Sequence, residues 1–346
     1  MQHQVFAKSP SSRPLNPARP TMDLPTGWAW ALVLISGLLT LSLTAHAQSF
    51  PTKPIHVIVP FAAGSATDQI GRAFAAKMGE ELEQPLIVDN KVGVNGMLGA
   101  DYVAKSAADG YTLLFGTNST NAALKSLMKK LPYDQDTAFA PVAFMGSVPL
   151  IVAVNNDMPT KTLKEFIALA KAKPDFVTFA SASTSQLVSS AMLAGMTGVE
   201  MTSVPYKSGP NAMTDLIGGQ VMMFTADFAV MLPQVKAGKI RGLAVTSTQR
   251  SKAIPDLPSV NEALGIKGYE LIAYFASFAP AGTPKDVIMK LNHASNTAAS
   301  SKEILDKFAD IGFDTEPGTP DALMQRSKLE TAKWAKAIRD AKIEPQ

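Results

Sequence analysis

Ile55-His56-Val57-Ile58-Val59-Pro60-Phe61-Ala62-Ala63-Gly64-Ser65-Ala66-Thr67-Asp68 is the stretch from which the fold is read. Its first five residues are a short run dominated by β-branched side chains, the pattern of a buried strand. Small residues follow, and from Thr67 to Leu82 the apolar positions recur with helical period. The same alternation continues outward. Strand Leu86 to Val88, a helix near Leu98 to Ser106 and strand Thr112 to Phe115 come next, then helix Leu163 to Lys173, strand Val177 to Ala180 and helix Gln186 to Met196. Helix Asn211 to Ile217 and strands Val221 to Phe224 and Gly242 to Val245 follow, and helices Lys285 to Ser300, Ile304 to Asp310 and Pro320 to Ala341 close the chain. Strands alternating with helices predict an α/β protein built from βαβ units with parallel sheet.

Two apolar runs stand apart from this alternation. Val148 to Val154 is followed by the turn-rich Asn155-Asn156-Asp157-Met158-Pro159, and Leu271 to Phe278 by Pro280-Ala281-Gly282-Thr283-Pro284. If both cross between lobes, the chain builds one lobe, crosses, builds a second and returns. The division expected is 48–149 with 272–346 as domain 1 and 150–271 as domain 2.

The N-terminus reads as an address. Lys8, Arg13 and Arg19 precede the apolar run Trp28 to Leu43, which ends in Ala45-His46-Ala47. A basic region, a short apolar core and an A-x-A site describe a secretory signal peptide over residues 1–47, cleaved after Ala47, and hence periplasmic export. The run is too short and too interrupted by Ser36, Gly37, Thr40 and Ser42 for a span of about 20 apolar residues. No Arg-Arg pair is present, which favours the general secretory route over the twin-arginine route. Cleavage removes three basic residues and one acid from totals of 32 and 29, leaving a net charge of +1. That balance gives no electrostatic footprint for nucleic acid. There is no cysteine, so disulfide scaffolds and thiol nucleophiles are excluded, and four histidines give little material for a metal site. No cofactor is expected.

Three predicted strands lead into small or hydroxyl-bearing loops that start helices: 60–68, Gly116-Thr117-Asn118-Ser119-Thr120 and Ser181-Ala182-Ser183-Thr184-Ser185. Ser, Thr and Asn are good helix caps in any case. Small loops at helix N-termini also let an anion approach unpaired N–H groups, and in α/β folds they lie at the carboxyl ends of strands. Asp68 would repel a bound anion, so it reads as a loop support that accepts local N–H groups. The main competing class is a secreted α/β hydrolase. Ser65 lacks the Gly-x-Ser-x-Gly elbow, and only His56 and His293 remain after cleavage. Gly93-Val94-Asn95-Gly96-Met97-Leu98-Gly99 has the wrong spacing for a dinucleotide loop, and no Gly-Lys-Ser/Thr motif exists.

Pro54-Ile55 with Val59-Pro60-Phe61, Gly64 and Thr67-Asp68 resembles the opening of the Bug-type periplasmic receptors of tripartite tricarboxylate transporters. The resemblance runs on through Asp109-Gly110-Tyr111-Thr112, Thr117-Asn118-Ser119-Thr120, Leu131-Pro132-Tyr133-Asp134 and Val204-Pro205-Tyr206-Lys207. It ends with Leu216-Ile217-Gly218-Gly219-Gln220, Lys236-Ala237-Gly238-Lys239 and Ala279-Pro280-Ala281-Gly282-Thr283-Pro284. Each motif alone is weak, whereas their order along the whole exported chain is specific.

The resemblance implies a two-lobed Venus-flytrap (type II periplasmic-binding-protein) fold with two mixed or parallel sheets flanked by helices. It implies no catalysis, but capture of a small organic mono-, di- or tricarboxylate, aliphatic or aromatic, for delivery to membrane permease subunits. A ligand-sensing receptor for a membrane kinase uses the same closure and stays open as an alternative. A monomer is expected. Carried over by position, Ala63, Gly64, Ser65, Ala66, Thr67 and Asn118 would face the ligand from one lobe, and Ser183, Thr184, Ser185 and Asp227 from the other. Phe61, Tyr206, Phe228, Tyr274 and Phe275 are candidate walls, though most such aromatics are ordinary core. The first loop departs from the family's Pro-Gly-Gly, reading Ala62-Ala63-Gly64-Ser65, and the second-lobe loop lacks the usual Gly-Asn-Gly. Ligand identity therefore does not carry over.

Overall fold

The computed structural model describes residues 50–174 and 176–346, so the signal peptide and its cleavage site lie outside the described residues. Strand β1 (Ile55–Val59) leads into helix α1 (Ala66–Leu82), β2 (Leu86–Asn90), α2 (Met97–Ala104) and β3 (Thr112–Thr117). A π-turn over Ser119–Ala123 and the one-turn α3 (Leu124–Leu127) follow β3. The long strand β4 (Phe139–Asn155) comes next, then α4 (Leu163–Ala172), β5 (Thr178–Ser181), α5 (Thr184–Thr197), β6 (Thr202–Pro205) and α6 (Gly209–Ile217). The remainder is β7 (Met223–Asp227), α7 (Phe228–Lys236), β8 (Ile240–Val245), α8 (Val260–Leu264), β9 (Ile272–Pro280), α9 (Lys285–Ser300), α10 (Lys302–Ala309) and α11 (Pro320–Asp340). Among the described residues no helix is long and apolar enough to cross a membrane.

The architecture is α/β and two-lobed, with sheets flanked by helices. In one half β1 pairs in parallel with both β2 and β3, and in the other β5 pairs in parallel with both β6 and β7. The strands that join the halves run antiparallel. Residues 139–149 of β4 pair with β9, which also pairs with β3, while residues 150–155 of β4 pair with β7 and β8. The sheet is therefore mixed, and its two halves are continuous through β4. Of the two apolar runs, Val148 to Val154 lies where β4 passes from one half to the other. Leu271 to Phe278 supplies β9, which stays with β3 and the first part of β4.

Periodicity located most elements but missed β6, α7, the short helices α3 and α8 and the first part of β4, residues 139–147. The β6 residues Thr202–Pro205 carry only one aliphatic side chain, and α7 contains Pro233, which removes an N–H from the helix interior. By contrast, Leu150 to Val154 is buried at every position, which explains its uninterrupted apolar run. Each large side chain there contributes about 1.5–3 kcal/mol of burial.

Thr246 fastens the point where β4 changes partners. Its hydroxyl accepts the Leu150 N–H at 2.8 Å and donates to the Leu271 carbonyl at 2.6 Å. Its backbone N–H reaches the Leu150 carbonyl, and its carbonyl accepts the Leu271 N–H at 3.1 Å. The residue is fully buried, so β8, β4 and the segment entering β9 share one polar knot in an apolar setting. Thr246→Val keeps the shape and removes the hydroxyl, leaving the Leu150 N–H and Leu271 carbonyl short of one partner each. A loss of about 1–3 kcal/mol in unfolding free energy is expected by denaturant titration. A variant as stable as wild type would show that the hydroxyl contributes nothing there.

Candidate functional site

The carboxyl ends of five strands, β1, β3, β5, β6 and β7, open on one cavity. Phe61, Ser65, Ala66 and Thr67 line it from the β1–α1 loop, and Thr117, Asn118 and Ser119 from the end of β3. The other half of the sheet contributes Ser183, Ser185 and Gln186 at the start of α5, Lys207, Ser208 and Gly209 before α6, and Asp227 and Val230 at the start of α7. Ala273 and Phe275 of β9 complete the wall.

Ser65 begins α1. Its backbone is extended (φ −67°, ψ 162°), and its hydroxyl accepts the Asp68 N–H at 3.3 Å. Asp68 holds the loop from below. One carboxylate oxygen accepts the Gly64 N–H at 3.0 Å, while the other accepts the Asn90 side-chain amide at 2.9 Å and pairs with Arg72 at 2.9 Å. Asn90 also donates to the Phe61 carbonyl, so both sides of the loop are tied to β2. Burial pushes the Asp68 acid up, but the bonds from Arg72, Gly64 and Asn90 outweigh it and hold the group below the usual carboxylate range.

This bracing decides which first-loop amides remain free. The Gly64 N–H goes to Asp68 and the Ser65 N–H to the Ala62 carbonyl at 3.1 Å. Among the described residues, no acceptor takes the N–H of Ala66 or Thr67, the first two helical positions of α1. The Gly64 N–H is therefore spent on the turn. Gly64 sits at φ +80°, a left-handed conformation that glycine adopts at little cost, and its nearest neighbour across the cleft is Pro210 of α6.

The opposite half presents a similar surface. Ser183 makes no side-chain cap for α5, and Asp227 makes none for α7. The first-turn N–H groups of Thr184, Ser185 and Gln186, and of Phe228, Ala229 and Val230, have no acceptor among the described residues. At the end of β3, Asn118 is 1% exposed. Its side-chain oxygen accepts the Tyr274 N–H at 3.4 Å, while its Nδ2 donor is buried without a partner among the described residues. Unpaired buried donors and helix N-termini facing one space favour an anion there.

The expected residues divide cleanly. Phe61, Ser65, Ala66, Thr67, Asn118, Ser183, Ser185 and Asp227 come together on the cavity. Ala63 and Gly64 are exposed and do not line the cavity, and Thr184 is fully buried. Phe228 is fully buried core, and the Tyr206 hydroxyl turns away to donate to Asp215 at 2.9 Å. Tyr206 instead lines a wider cleft at the mouth, which shares Phe61, Ala182 and Lys207 with the cavity. Thr117, Ser119, Gln186, Lys207, Ser208, Gly209, Val230 and Ala273 were not singled out as ligand contacts from sequence. For Lys207 to Gly209 a signal existed. Ser208 before Gly209-Pro210 is a serine cap with proline at the first turn, the same strand-to-helix signature as the other loops.

His56 pairs with Asp89 at 2.9 Å on the outer face of β1 and β2, and His293 lies 3.3 Å from Glu81, so neither lines the cavity with Ser65. No cluster of metal-ligating side chains occurs among the described residues.

Asp68→Asn tests the brace. The lowered pKa of Asp68 contributes stability above the ordinary carboxylate range, lost as pH falls through its folded value. The variant should melt below wild type at pH 7, and the gap should close as pH drops below about 4. Equal melting temperatures at pH 7 would show that the carboxylate does not hold the loop.

A model of the tripartite tricarboxylate transporter family receptor matches residues 70–343. BugT of Bordetella pertussis is 36% identical over 297 residues, covering 85% of this chain and 91% of that one. A protein encoded between tcbD and tcbE in Pseudomonas strain P51 is 34% identical over 294 residues, covering 84% of this chain and 87% of that protein. Among solved structures, an R. palustris protein with adipate superposes with a TM-score of 0.83 at 32% identity, covering 86% of this chain and 100% of that one. MatC from Rhodopseudomonas palustris with bound malate gives 0.80 at 31% identity, covering 84% and 100%. This chain belongs to the receptor family of tripartite tricarboxylate transporters, the periplasmic solute-binding proteins of the Bug type.

Proposed function

We propose that the protein captures a small organic carboxylate between its two lobes and hands it to the membrane permease subunits of a tripartite transporter. The observation that carries this is the convergence of unpaired first-turn amides from α1, α5 and α7 on one cavity, with Lys207 as its cation. A carboxylate bridging both sets stabilises only the conformation that brings the halves together. Related structures are described with adipate and with bound malate, both small organic carboxylates. In this reading 48–149 with 272–346 move as one lobe and 150–271 as the other. The chain acts in the periplasm as a monomer after cleavage behind Ala47, and it performs no catalysis. The binding groups are Ala66, Thr67, Asn118, Ser183, Ser185 and Lys207.

Small-angle scattering of the mature protein should show a smaller radius of gyration with a saturating carboxylate than without it. An unchanged radius at saturation would mean that the site does not close. N-terminal sequencing of periplasmic protein should begin at Gln48, and full-length protein retained in the membrane fraction would overturn the cleavage assignment.

The backbone amide itself is testable at Ala66. Proline is tolerated at the first helical position, and Ser65 already has the extended backbone that precedes proline. Ala66→Pro should fold with little change in melting temperature yet bind a carboxylate more weakly by about 1.5–3 kcal/mol, the worth of a bond to a charged group. Ser65→Ala removes a cap instead of an amide, so calorimetric titration should show a smaller loss of affinity and a melting temperature lowered in line with about 1 kcal/mol. If Ser65→Ala abolishes binding while Ala66→Pro leaves it intact, the hydroxyl and not the amide holds the carboxylate.

A further inference from the structure

Two acids lie buried at the carboxyl ends of the strands, and they differ in how they are satisfied. Asp68 accepts from Gly64 and Asn90 and pairs with Arg72. Asp227, nine-tenths buried at the end of β7, lines the cavity itself. Among the described residues no side chain donates to its carboxylate, which accepts only its own backbone N–H, and no cation lies within ion-pair distance. It sits in the one space where the surrounding helices otherwise favour an anion. A fully ionised diacid placed against it would set two carboxylates together in a site shielded from water, a juxtaposition that costs several kcal/mol.

We propose that Asp227 sets the ligand class: the receptor takes an organic acid whose carboxylate is held at the first loop and whose other end presents a hydrogen-bond donor, such as a carboxamide or a still-protonated carboxyl, to Asp227. This rests on the reading of the cavity as a carboxylate site and narrows it. A buried carboxylate held only by its own backbone N–H is under-satisfied, and a donor on the ligand offsets that cost while a second carboxylate increases it. Discrimination of this kind is strong because the wrong ligand leaves a polar group unpaired.

The charged groups around Asp227 are engaged elsewhere. On α1, which packs against α7, Asp68 and Arg72 pair with each other. On α6, Asp215 accepts the Tyr206 hydroxyl, and on β8, Arg241 donates to the carbonyls of Met158, Thr160 and Asn156. Lys236 lies at the far end of α7, and β4, β5 and α5 carry no charged residue. Lys207 is exposed at the cavity mouth. Burial alone pushes the Asp227 acid up to about 6. The carboxylate is therefore ionised well above that pH and protonated well below it, and a protonated Asp227 tolerates a second carboxylate.

The test uses matched pairs: succinate, glutarate and adipate against their monoamides, which have the same shape but end in a donor. Calorimetric titration of the mature protein at pH 8 should show the best-fitting monoamide binding at least tenfold more tightly than its diacid. The preference should narrow toward pH 5.5. Asp227→Asn should collapse the preference at pH 8 and remove its change with pH. The wild-type comparison at pH 8 stands without the variant, and a melting curve shows whether the variant is folded. A diacid that binds as tightly as its monoamide to the wild type at pH 8 would overturn the proposal and leave the carboxylate receptor standing. Failure of every diacid and monoamide to bind at millimolar concentration would overturn both.

Discussion

Everything at the site depends on one strand being shared. β4 runs for 17 residues and changes partners midway, pairing with β9 in its first part and with β7 and β8 in its last. Because the same backbone sets the direction of both half-sheets, the carboxyl ends of β1 and β3 and those of β5, β6 and β7 are turned toward one space. Thr246 holds the changeover with bonds to Leu150 and Leu271, the two places where the chain passes between the halves. A slip of one residue in β4 would exchange its two faces and misplace every loop hung on it.

Given that frame, the site is built with little side-chain chemistry. Helix N-termini supply amides that no carbonyl of their own helix can satisfy, and small residues keep the approach open. The protein spends its polar side chains on holding loops in shape. Asp68 and Asn90 tie the first loop to β2, and in doing so they consume the Gly64 amide and leave those of Ala66 and Thr67. Lys207 is the only cation on the cavity wall among the described residues, and it stands at the mouth, where it favours entry of an anion more than it fixes its pose. Asp227 is the counterweight: in a site biased toward negative charge, one unpaired carboxylate is a term against the wrong ligand.

Much of this was legible in the chain. The α/β class followed from apolar period alone, because strands buried on both faces and helices with one apolar stripe leave different patterns. Most element positions agreed to within a few residues, and Ser65, Asn118 and Ser183 stood out as polar residues at strand ends. Elements that the period does not reveal lack the signal itself: β6 is short and largely polar, α3 and α8 have four and five residues, and α7 carries an internal proline. Gly64 was assigned to the ligand because glycine in a strand-to-helix loop reads equally well as close approach or as a turn. The Tyr206 and Phe228 side chains leave the cavity wall for a related reason. Neighbours of a site residue along the chain point to opposite sides, so Phe228 enters the core beside Asp227 and Tyr206 turns to Asp215 beside Lys207.

By itself the sequence determined the class of fold, the family and the places where strands give way to helices, since these depend on local period, caps and the order of motifs. Tertiary structure decided which of those places share a cavity. It also decided which amides are spent on bracing and which remain free, and it left one of two buried aspartates ion-paired and the other with only its own backbone N–H. Those outcomes depend on contacts between residues far apart in the chain, such as Asp68 with Asn90 and Asn118 with Tyr274, and local propensity carries no record of them.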